Sequence, residues 1–114
     1  MLKNFTAQIM GFILEKAPFL VPLKKAAENE TWLAFQHPRP GYPVHFLILP
    51  RKTWRNVFEC PCEDARVMEA LFNLTAMLIE NQQLDQTRCR LVINGGAYQT
   101  APLMHAHLIS DIVS

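Results

Sequence analysis

Hydrophobic positions recur at helical spacing in two segments of the chain, and each segment predicts a helix. Near the amino terminus the apolar stripe ends before Pro18, because proline removes a backbone donor and disfavours helix in the residue before it. The second segment, residues 63–82, has two acidic residues in its first turn, where they complement the helix dipole. The first stripe consists of Leu2, Phe5, Ile9, Phe12 and Ile13. The second consists of Val67, Leu71, Leu74 and Leu78, widened by Met68, Phe72 and Ile79.

Five shorter segments are predicted to be strands. They are residues 20–26, 31–36, 44–50, 88–93 and 103–109, and Pro22 limits the first of them to a sheet edge. Polar, glycine-rich or proline-rich segments separate them at residues 28–30, 37–43 and 94–96. Short connections between strands favour antiparallel pairing. The pattern predicts an α+β fold, with a mostly antiparallel five-stranded sheet, one long helix packed on a face and an N-terminal helix.

Composition and charge restrict the partners of this chain. It has 114 residues, of which 50% are hydrophobic and 18% charged, enough for one folded domain over residues 1–114. The formal net charge of +1 argues against a polyanion-binding face and therefore against a nucleic-acid polymer as partner. The apolar run at residues 9–14 is shorter than the roughly 20 residues that cross a bilayer. No membrane partner is expected.

The three cysteines, Cys60, Cys62 and Cys89, predict a reducing, cytoplasmic location. An odd number, with two cysteines separated by a single proline, is a poor disulfide framework. Cys60 and Cys62 resemble half of a zinc site, but the sequence has no second pair and the histidines lie far away along the chain. Neither a metal nor another cofactor is therefore expected.

Two histidines on one predicted strand are the strongest indication of a functional site. Side chains alternate between two faces along residues 103–109, so His105 and His107 share a face, about 6–7 Å apart. A strand does not need two histidines to fold, and burying both without partners would cost about 1–3 kcal/mol for each unsatisfied group. One histidine on a strand is usually structural, whereas this pair predicts a site.

The segment before this strand contains adjacent glycines and several hydrogen-bond donors. Asn94, Gln99 and Thr100 supply donors, and glycines let backbone amides approach an anion, which predicts a phosphate cradle. Taken alone, the Asn-Gly pair favours a plain hairpin turn, and it is the adjacent His105 and His107 that make a phosphate cradle the better interpretation. His45 lies among apolar residues and is by itself more typical of a structural histidine. His37, at the start of the proline-rich loop, is by itself expected to face solvent.

Two pairs of segments carry a resemblance to a known family. The first pair is WLAFQHP at residues 32–38 and PVHFLILP at residues 43–50. The second is LVIN at residues 91–94 and LMHAHLI at residues 103–109, with QT at residues 99–100 between them. A weaker third match is LVPLK at residues 20–24. Together they resemble the histidine triad superfamily of nucleotide-binding hydrolases and transferases, whose motif is HφHφHφφ, where φ is apolar. The resemblance spans about residues 10–112.

The resemblance implies a catalytic role for three histidines. His105 matches the family's nucleophile, His107 its third motif histidine, and His45 the histidine of the preceding strand pair. It implies phosphate binding by Asn94, Gln99 and Thr100, and nucleoside contacts by Phe35, His37, Phe12 and Ile13. It also implies a homodimer, with exposed apolar surface at Phe72, Met77 and Ile79 suited to the interface.

Two positions depart from the family pattern. Leu103 stands where the family has its first motif histidine, and His37 stands where many relatives have an acidic residue that binds the ribose hydroxyls. The backbone carbonyl of Leu103 is retained, and the resemblance implies that it orients the ring of His105. The relay from the first motif histidine toward His45 is lost, so His45 is expected to lack a hydrogen-bonding partner on this face.

The implied function is that of a nucleotide phosphohydrolase or nucleotidyl transferase acting at an α-phosphate. His105 would attack the phosphorus, and water would then hydrolyse the covalent nucleotidyl-histidine, which splits one hard displacement into two easier ones. The partner is a small nucleotide or related phosphoester. The alternative is a nucleotide-binding or scaffold protein of the same fold, in which Leu103 marks weakened catalysis. In a third interpretation the domain is purely structural and its histidines are incidental.

Overall fold

The structure is a computed structural model, and it describes residues 24–52, 54–61, 63–99 and 103–111. Five strands form one sheet in the order β1-β2-β3-β5-β4, and neighbouring strands are antiparallel. The strands are β1 Lys25–Glu28, β2 Trp32–Gln36, β3 Val44–Pro50, β4 Arg90–Ile93 and β5 Ala106–Ser110. The helix α1 spans Ala65–Asn81, between β3 and β4 in the chain. The predicted α+β architecture is confirmed, and the predicted N-terminal helix lies outside the described residues.

The buried face of α1 follows most of the predicted apolar stripe. The Asp64 carboxylate accepts the backbone N–H of Arg66 and so caps the first turn. Phe72 was expected to widen the stripe, but it is 59% exposed. Each helical residue turns about 100° from the one before, which carries Phe72 away from the sheet. The buried residues of the helix are Val67, Leu71, Leu74, Thr75 and Leu78.

The sheet contributes one face to a common core with α1. Trp32 in β2 is fully buried, and its indole Nε1–H donates to the carbonyl of Val67 at 2.9 Å. Phe46 and Ile48 in β3 belong to the same core, as does Ala106 in β5. Because side chains alternate along a strand, the residues between these lie on the opposite face of the sheet.

The first strand lies later in the chain than predicted. β1 spans Lys25–Glu28, whereas a strand at residues 20–26 and a turn at residues 28–30 were expected. The side chain of Asn29 explains the shift, because its carbonyl accepts the backbone N–H groups of Thr31 and Trp32 and thereby forms the turn. Residues 20–23 lie outside the described part of the chain.

The last two strands are shorter than predicted. β4 begins at Arg90, because residues 86–88 form a 3-10 turn capped by Asp85. β5 begins at Ala106 rather than at residue 103. The backbone N–H of Met104 donates to the carbonyl of Trp54 at 2.8 Å, so this segment is held by a loop before the strand begins. Within the described residues, no helix is long and apolar enough to cross a membrane.

Candidate active site

Strands β3 and β5 position the histidines on the sheet face opposite α1. His107 in β5 pairs with Leu47 in β3, and His45, two residues earlier in β3, shares that face. His105 directly precedes β5, and its ring centroid lies 4.9 Å from that of His107. His37 directly follows β2, where its backbone N–H donates to the carbonyl of His45 at 2.9 Å. All four histidines of the chain therefore meet at one place.

The four imidazole rings form a contiguous cluster. The His37 ring stacks on the His45 ring, with centroids 4.1 Å apart and an interplanar angle of 23°. Nε2 of His45 lies 2.9 Å from Nδ1 of His107. The prediction that His105 and His107 share a face is confirmed, as is the proximity of His45. The expectation that His37 faces solvent is wrong, because stacking on His45 leaves it half-buried.

Backbone contacts determine which ring nitrogens of this cluster carry protons. The N–H of Gly41 donates to Nδ1 of His45 at 3.0 Å, so the neutral ring carries its proton on Nε2. That proton donates to Nδ1 of His107, which must then carry its own proton on Nε2. The reverse direction would leave His45 with no ring proton at all. The N–H of Arg39 donates to Nδ1 of His37 at 3.1 Å and gives that ring the same tautomer.

His105 has the opposite tautomer. Its Nδ1 lies 2.9 Å from the carbonyl oxygen of Leu103, and a carbonyl only accepts, so Nδ1 carries the proton and Nε2 is a bare lone pair. The expected role of the Leu103 carbonyl in orienting this ring is thereby confirmed. Within the described part of the chain, Nε2 of His37, His105 and His107 makes no hydrogen bond. The site offers one bare nitrogen beside two N–H donors.

The replacement of the first motif histidine by Leu103 has a smaller consequence than expected. His45 was expected to lack a hydrogen-bonding partner on this face, and this expectation is wrong. Its Nε2–H is already engaged with Nδ1 of His107, because the register of β3 and β5 brings these two rings together. Leu103 is buried.

Burial keeps all four imidazoles neutral. It lowers the pKa of His45 to about 4, together with the repulsion that a proton here would meet from a proton on His37. Burial lowers the pKa of His107 to about 3, together with the repulsion that a proton here would meet from protons on the three other histidines. The pKa values of His37 and His105 are also lowered, chiefly by burial. At pH 7 these rings act as neutral donors and acceptors.

Three of the histidines lie near enough to one another to suggest a metal site. One ring nitrogen from each of His37, His45 and His107 lies within 4.8 Å of the other two. Coordination is opposed by the stacking, because two nearly parallel rings direct their in-plane lone pairs side by side instead of toward one point. It is also opposed by the protonation, since a ligating histidine usually donates its second ring N–H to an acceptor, whereas Nδ1 of His37 and His45 accepts. The residues do not fit a metal centre.

The other predicted site residues that the structure describes lie in β2 and in the connection between β4 and β5. Phe35 pairs with Leu47, which in turn pairs with His107, so Phe35 is a buried residue of the same face. Asn94 directly follows β4 and is half-buried. The side-chain Nε2 of Gln99 donates to the carbonyl of Arg55 at 2.7 Å. Thr100, Phe12 and Ile13 lie outside the described residues.

The proline loop, residues 37–43, contributes to the site in a way that the sequence did not predict. Its backbone amides at Arg39 and Gly41 bind two of the rings, and the ring of Tyr42 packs edge-on against His45 with centroids 5.7 Å apart. The three prolines indicated a stiff loop, and that stiffness was the one signal available.

The fold and the histidine cluster define a protein of the histidine triad (HIT) class. A family model of the HIT domain matches residues 21–112, and the chain belongs to this family. An uncharacterised HIT-like protein of Synechococcus elongatus is 32% identical over 103 residues, which cover 89% of this chain and 87% of that protein.

Solved structures of HIT proteins have the same fold. A HIT family hydrolase from Legionella pneumophila superposes with a TM-score of 0.72 at 25% identity, over 85% of this chain and 88% of its own. A HIT family hydrolase from Clostridium thermocellum gives a TM-score of 0.72 at 26% identity, over 90% and 89% of the two chains. A histidine triad protein from Clostridium difficile gives 0.71 at 23% identity, over 84% and 85%, which shows the fold alone.

Acidification is expected to destabilise the fold before any carboxylate titrates. The folded-state pKa values of about 4 for His45 and about 3 for His107 lie below the usual 6.5, so the unfolded chain binds protons first as the pH falls. Stability is therefore fully present above pH 6.5 and declines below it. We expect the Tm to fall between pH 6.5 and 5, with a smaller fall in His107→Gln. A Tm that is constant over this interval would contradict the assignment of neutral rings.

Proposed function

We propose that this chain is a nucleotide-binding phosphohydrolase or nucleotidyl transferase that acts at an α-phosphate through a covalent intermediate on His105. The observation that carries the proposal is the ring of His105, whose Nδ1–H is held by the Leu103 carbonyl so that Nε2 is a bare, oriented nucleophile. The chain's membership of the HIT family, and its likeness to structures of HIT family hydrolases, support the same reaction class.

The reaction proceeds in two displacements at phosphorus. In the first, the Nε2 lone pair of His105 forms a bond to the α-phosphorus while the bond to the leaving group breaks. The leaving group takes that electron pair and a proton from solvent. The Nε2–H of His107 donates to the departing atom or to a phosphoryl oxygen as charge develops there. In the second, water attacks the phosphorus and releases a proton to solvent, and the breaking P–N bond returns its electron pair to Nε2 of His105. In a transferase, another acceptor replaces the water.

The remaining contacts of the substrate are part of this proposal. Asn94, Gln99 and Thr100 hold the phosphoryl oxygens. Phe35 and His37 contact the nucleoside, together with Phe12 and Ile13. The reaction uses no metal, because the side chains of this chain supply the nucleophile and the donors.

A homodimer in the cytoplasm is the proposed form of the protein. Phe72 is 59% exposed and Met77 is 38% exposed on α1, which supports an apolar contact there. Ile79 packs partly against the core of its own domain and contributes less.

The alternative function is nucleotide binding without turnover, and Leu103 is the observation that favours it. A buried leucine replaces the first motif histidine, so one imidazole that the family pattern provides is missing. This alternative shares the fold, the phosphate contacts and the nucleoside pocket with the proposed enzyme. It differs in forming no bond between His105 and phosphorus.

The test is capture of the intermediate. We expect adenosine 5′-phosphoramidate, quenched in alkali after short incubation, to leave one adenylyl group per chain, located on His105 by peptide fragmentation. The P–N bond should be lost on acid treatment, and His105→Ala should give no adduct. Binding of adenosine monophosphate with no adduct at any quench time would support the binding protein instead. An adduct on His107 would overturn the assignment of the nucleophile.

A further inference from the structure

Two backbone amides of the proline loop make equivalent contacts with two imidazoles. The N–H of Arg39 reaches Nδ1 of His37 at 3.1 Å, and the N–H of Gly41 reaches Nδ1 of His45 at 3.0 Å. The two rings are nearly parallel, with centroids 4.1 Å apart, so one short segment can donate a hydrogen bond to Nδ1 of each ring. The β2–β3 connection therefore contacts the site through its main chain.

These contacts have a chemical consequence that reaches beyond the two rings. A neutral imidazole has one N–H, and an amide donor at Nδ1 forces that N–H onto Nε2. For His45 the forced proton points at Nδ1 of His107, 2.9 Å away. The Gly41 amide therefore determines, through His45, that Nε2 of His107 is a donor.

We propose that Arg39 and Gly41 are positioning residues: their amides fix the tautomers of His37 and His45, and through His45 that of His107, so that His37 and His107 both present an Nε2–H donor in the cluster that contains His105. This inference deepens the proposed function. The tautomers themselves do not depend on that function, and only the effect on turnover rests on it. The site is thereby matched to ligands that present acceptor oxygens, such as the non-bridging oxygens of a phosphate.

The other groups around these rings leave the assignment unchanged. The lowered pKa of His45, about 4, excludes the doubly protonated ring at neutral pH, which would otherwise direct an N–H against the Gly41 amide. The ring of Tyr42 packs edge-on against His45 and stays clear of the bond from Gly41 to Nδ1. The loop amide is thus the group that discriminates between the two neutral forms of His45.

The first test reads the tautomers without any substrate. Imidazole nitrogen shifts in ¹H–¹⁵N spectra separate bare from protonated ring nitrogens, and the four histidines are assigned with single His→Gln variants. We expect His37, His45 and His107 to be Nε2–H tautomers at pH 7.5, and His105 to be the Nδ1–H tautomer. A Nδ1–H tautomer, or a mixture of both forms, at His45 or His107 would overturn the proposal.

The second test removes the amide proton of the loop. Gly41→Pro deletes the N–H, whereas the conservative variant Gly41→Ala keeps it. The alanine Cβ would meet no atom closer than Nδ1 of His45 at 4.0 Å, and Gly41 has no positive φ. We expect Gly41→Pro to abolish the single-tautomer spectra of His45 and His107, and Gly41→Ala to preserve them. Unchanged spectra in a folded Gly41→Pro variant would refute the positioning role.

Kinetics with adenosine 5′-phosphoramidate separate this proposal from the proposed function. We expect Gly41→Pro to lower kcat by about 10–100-fold with little change in KM. This is less than the roughly 10⁴-fold loss for a catalytic imidazole held in the wrong tautomer, because here the tautomers become mixed. Gly41→Ala should recover most of that loss. Fixed tautomers in a wild-type protein without turnover would refute the enzyme and leave the positioning role intact. Turnover in a wild-type protein with mixed tautomers would refute the positioning role and leave the proposed enzyme intact.

Discussion

His105→Ala is expected to lower kcat by roughly 10⁴-fold or more, the loss found when the covalent nucleophile of a hydrolase is removed. The Kd for a nucleoside monophosphate should change by only about a few-fold, because the nucleophile acts in the transition state and the covalent step. The measurement is turnover of adenosine 5′-phosphoramidate alongside calorimetric binding of adenosine monophosphate. A variant that retains more than about a tenth of the wild-type kcat would remove His105 from the mechanism.

Chemical rescue provides the control for this variant. His105 is 3% exposed, so deletion of its ring leaves a space of imidazole size next to His107. We expect added imidazole to restore part of the turnover of His105→Ala by supplying the missing nitrogen. The variant also leaves the Leu103 carbonyl without its donor, which costs about 1–3 kcal/mol of stability. Circular dichroism and the Tm then separate lost chemistry from lost folding.

The fold could be predicted from the sequence because its signals are local. The helical spacing of Val67, Leu71, Leu74 and Leu78 determines which face of α1 is buried, whatever the rest of the chain does. Strand boundaries were less accurate, since they depend on contacts distant in sequence. For example, the Met104 N–H bonds to the Trp54 carbonyl instead of to a neighbouring strand, so β5 begins only at Ala106.

The histidine pair could be predicted because side chains still alternate between the two faces of the sheet just before β5, although β5 begins later than predicted. His105 lies outside β5, yet its ring still meets that of His107. The approach of His45 follows from the pairing register of β3 and β5, which the family motif implied and composition alone did not.

The proton positions in the cluster had no signature in the sequence. Gly41 acts through its N–H, a group that every residue except proline possesses, so its identity reveals nothing about the contact. His37 was expected to face solvent because its residue type and the adjacent prolines are typical of exposed loops. Stacking against His45 depends on where the loop returns, and this is a property of the folded chain.

His107→Ala is expected to lower kcat by about 10²–10³-fold, the loss found when one preorganised hydrogen-bond donor to the developing charge is removed. The His107 ring contacts the ring of the nucleophile, with centroids 4.9 Å apart, and its loss removes the proposed donor to the leaving group. His45→Ala should lower kcat by less than His107→Ala does, because it deprives Nδ1 of His107 of its donor but leaves the ring in place. Tyr42→Phe, which retains the aromatic ring beside His45, is the matched control and should leave kcat unchanged.

The double variant His45→Ala/His107→Ala then decides whether the two rings act in series. If His45 contributes only by holding the tautomer of His107, it has nothing to contribute once His107 is gone. The double variant should therefore lose no more activity than His107→Ala alone, with a coupling equal to the whole effect of His45→Ala. Losses that multiply would mean that His45 contacts the substrate itself. In that case the 2.9 Å contact between Nε2 of His45 and Nδ1 of His107 would be a packing contact that makes no contribution to activity through the tautomer of His107.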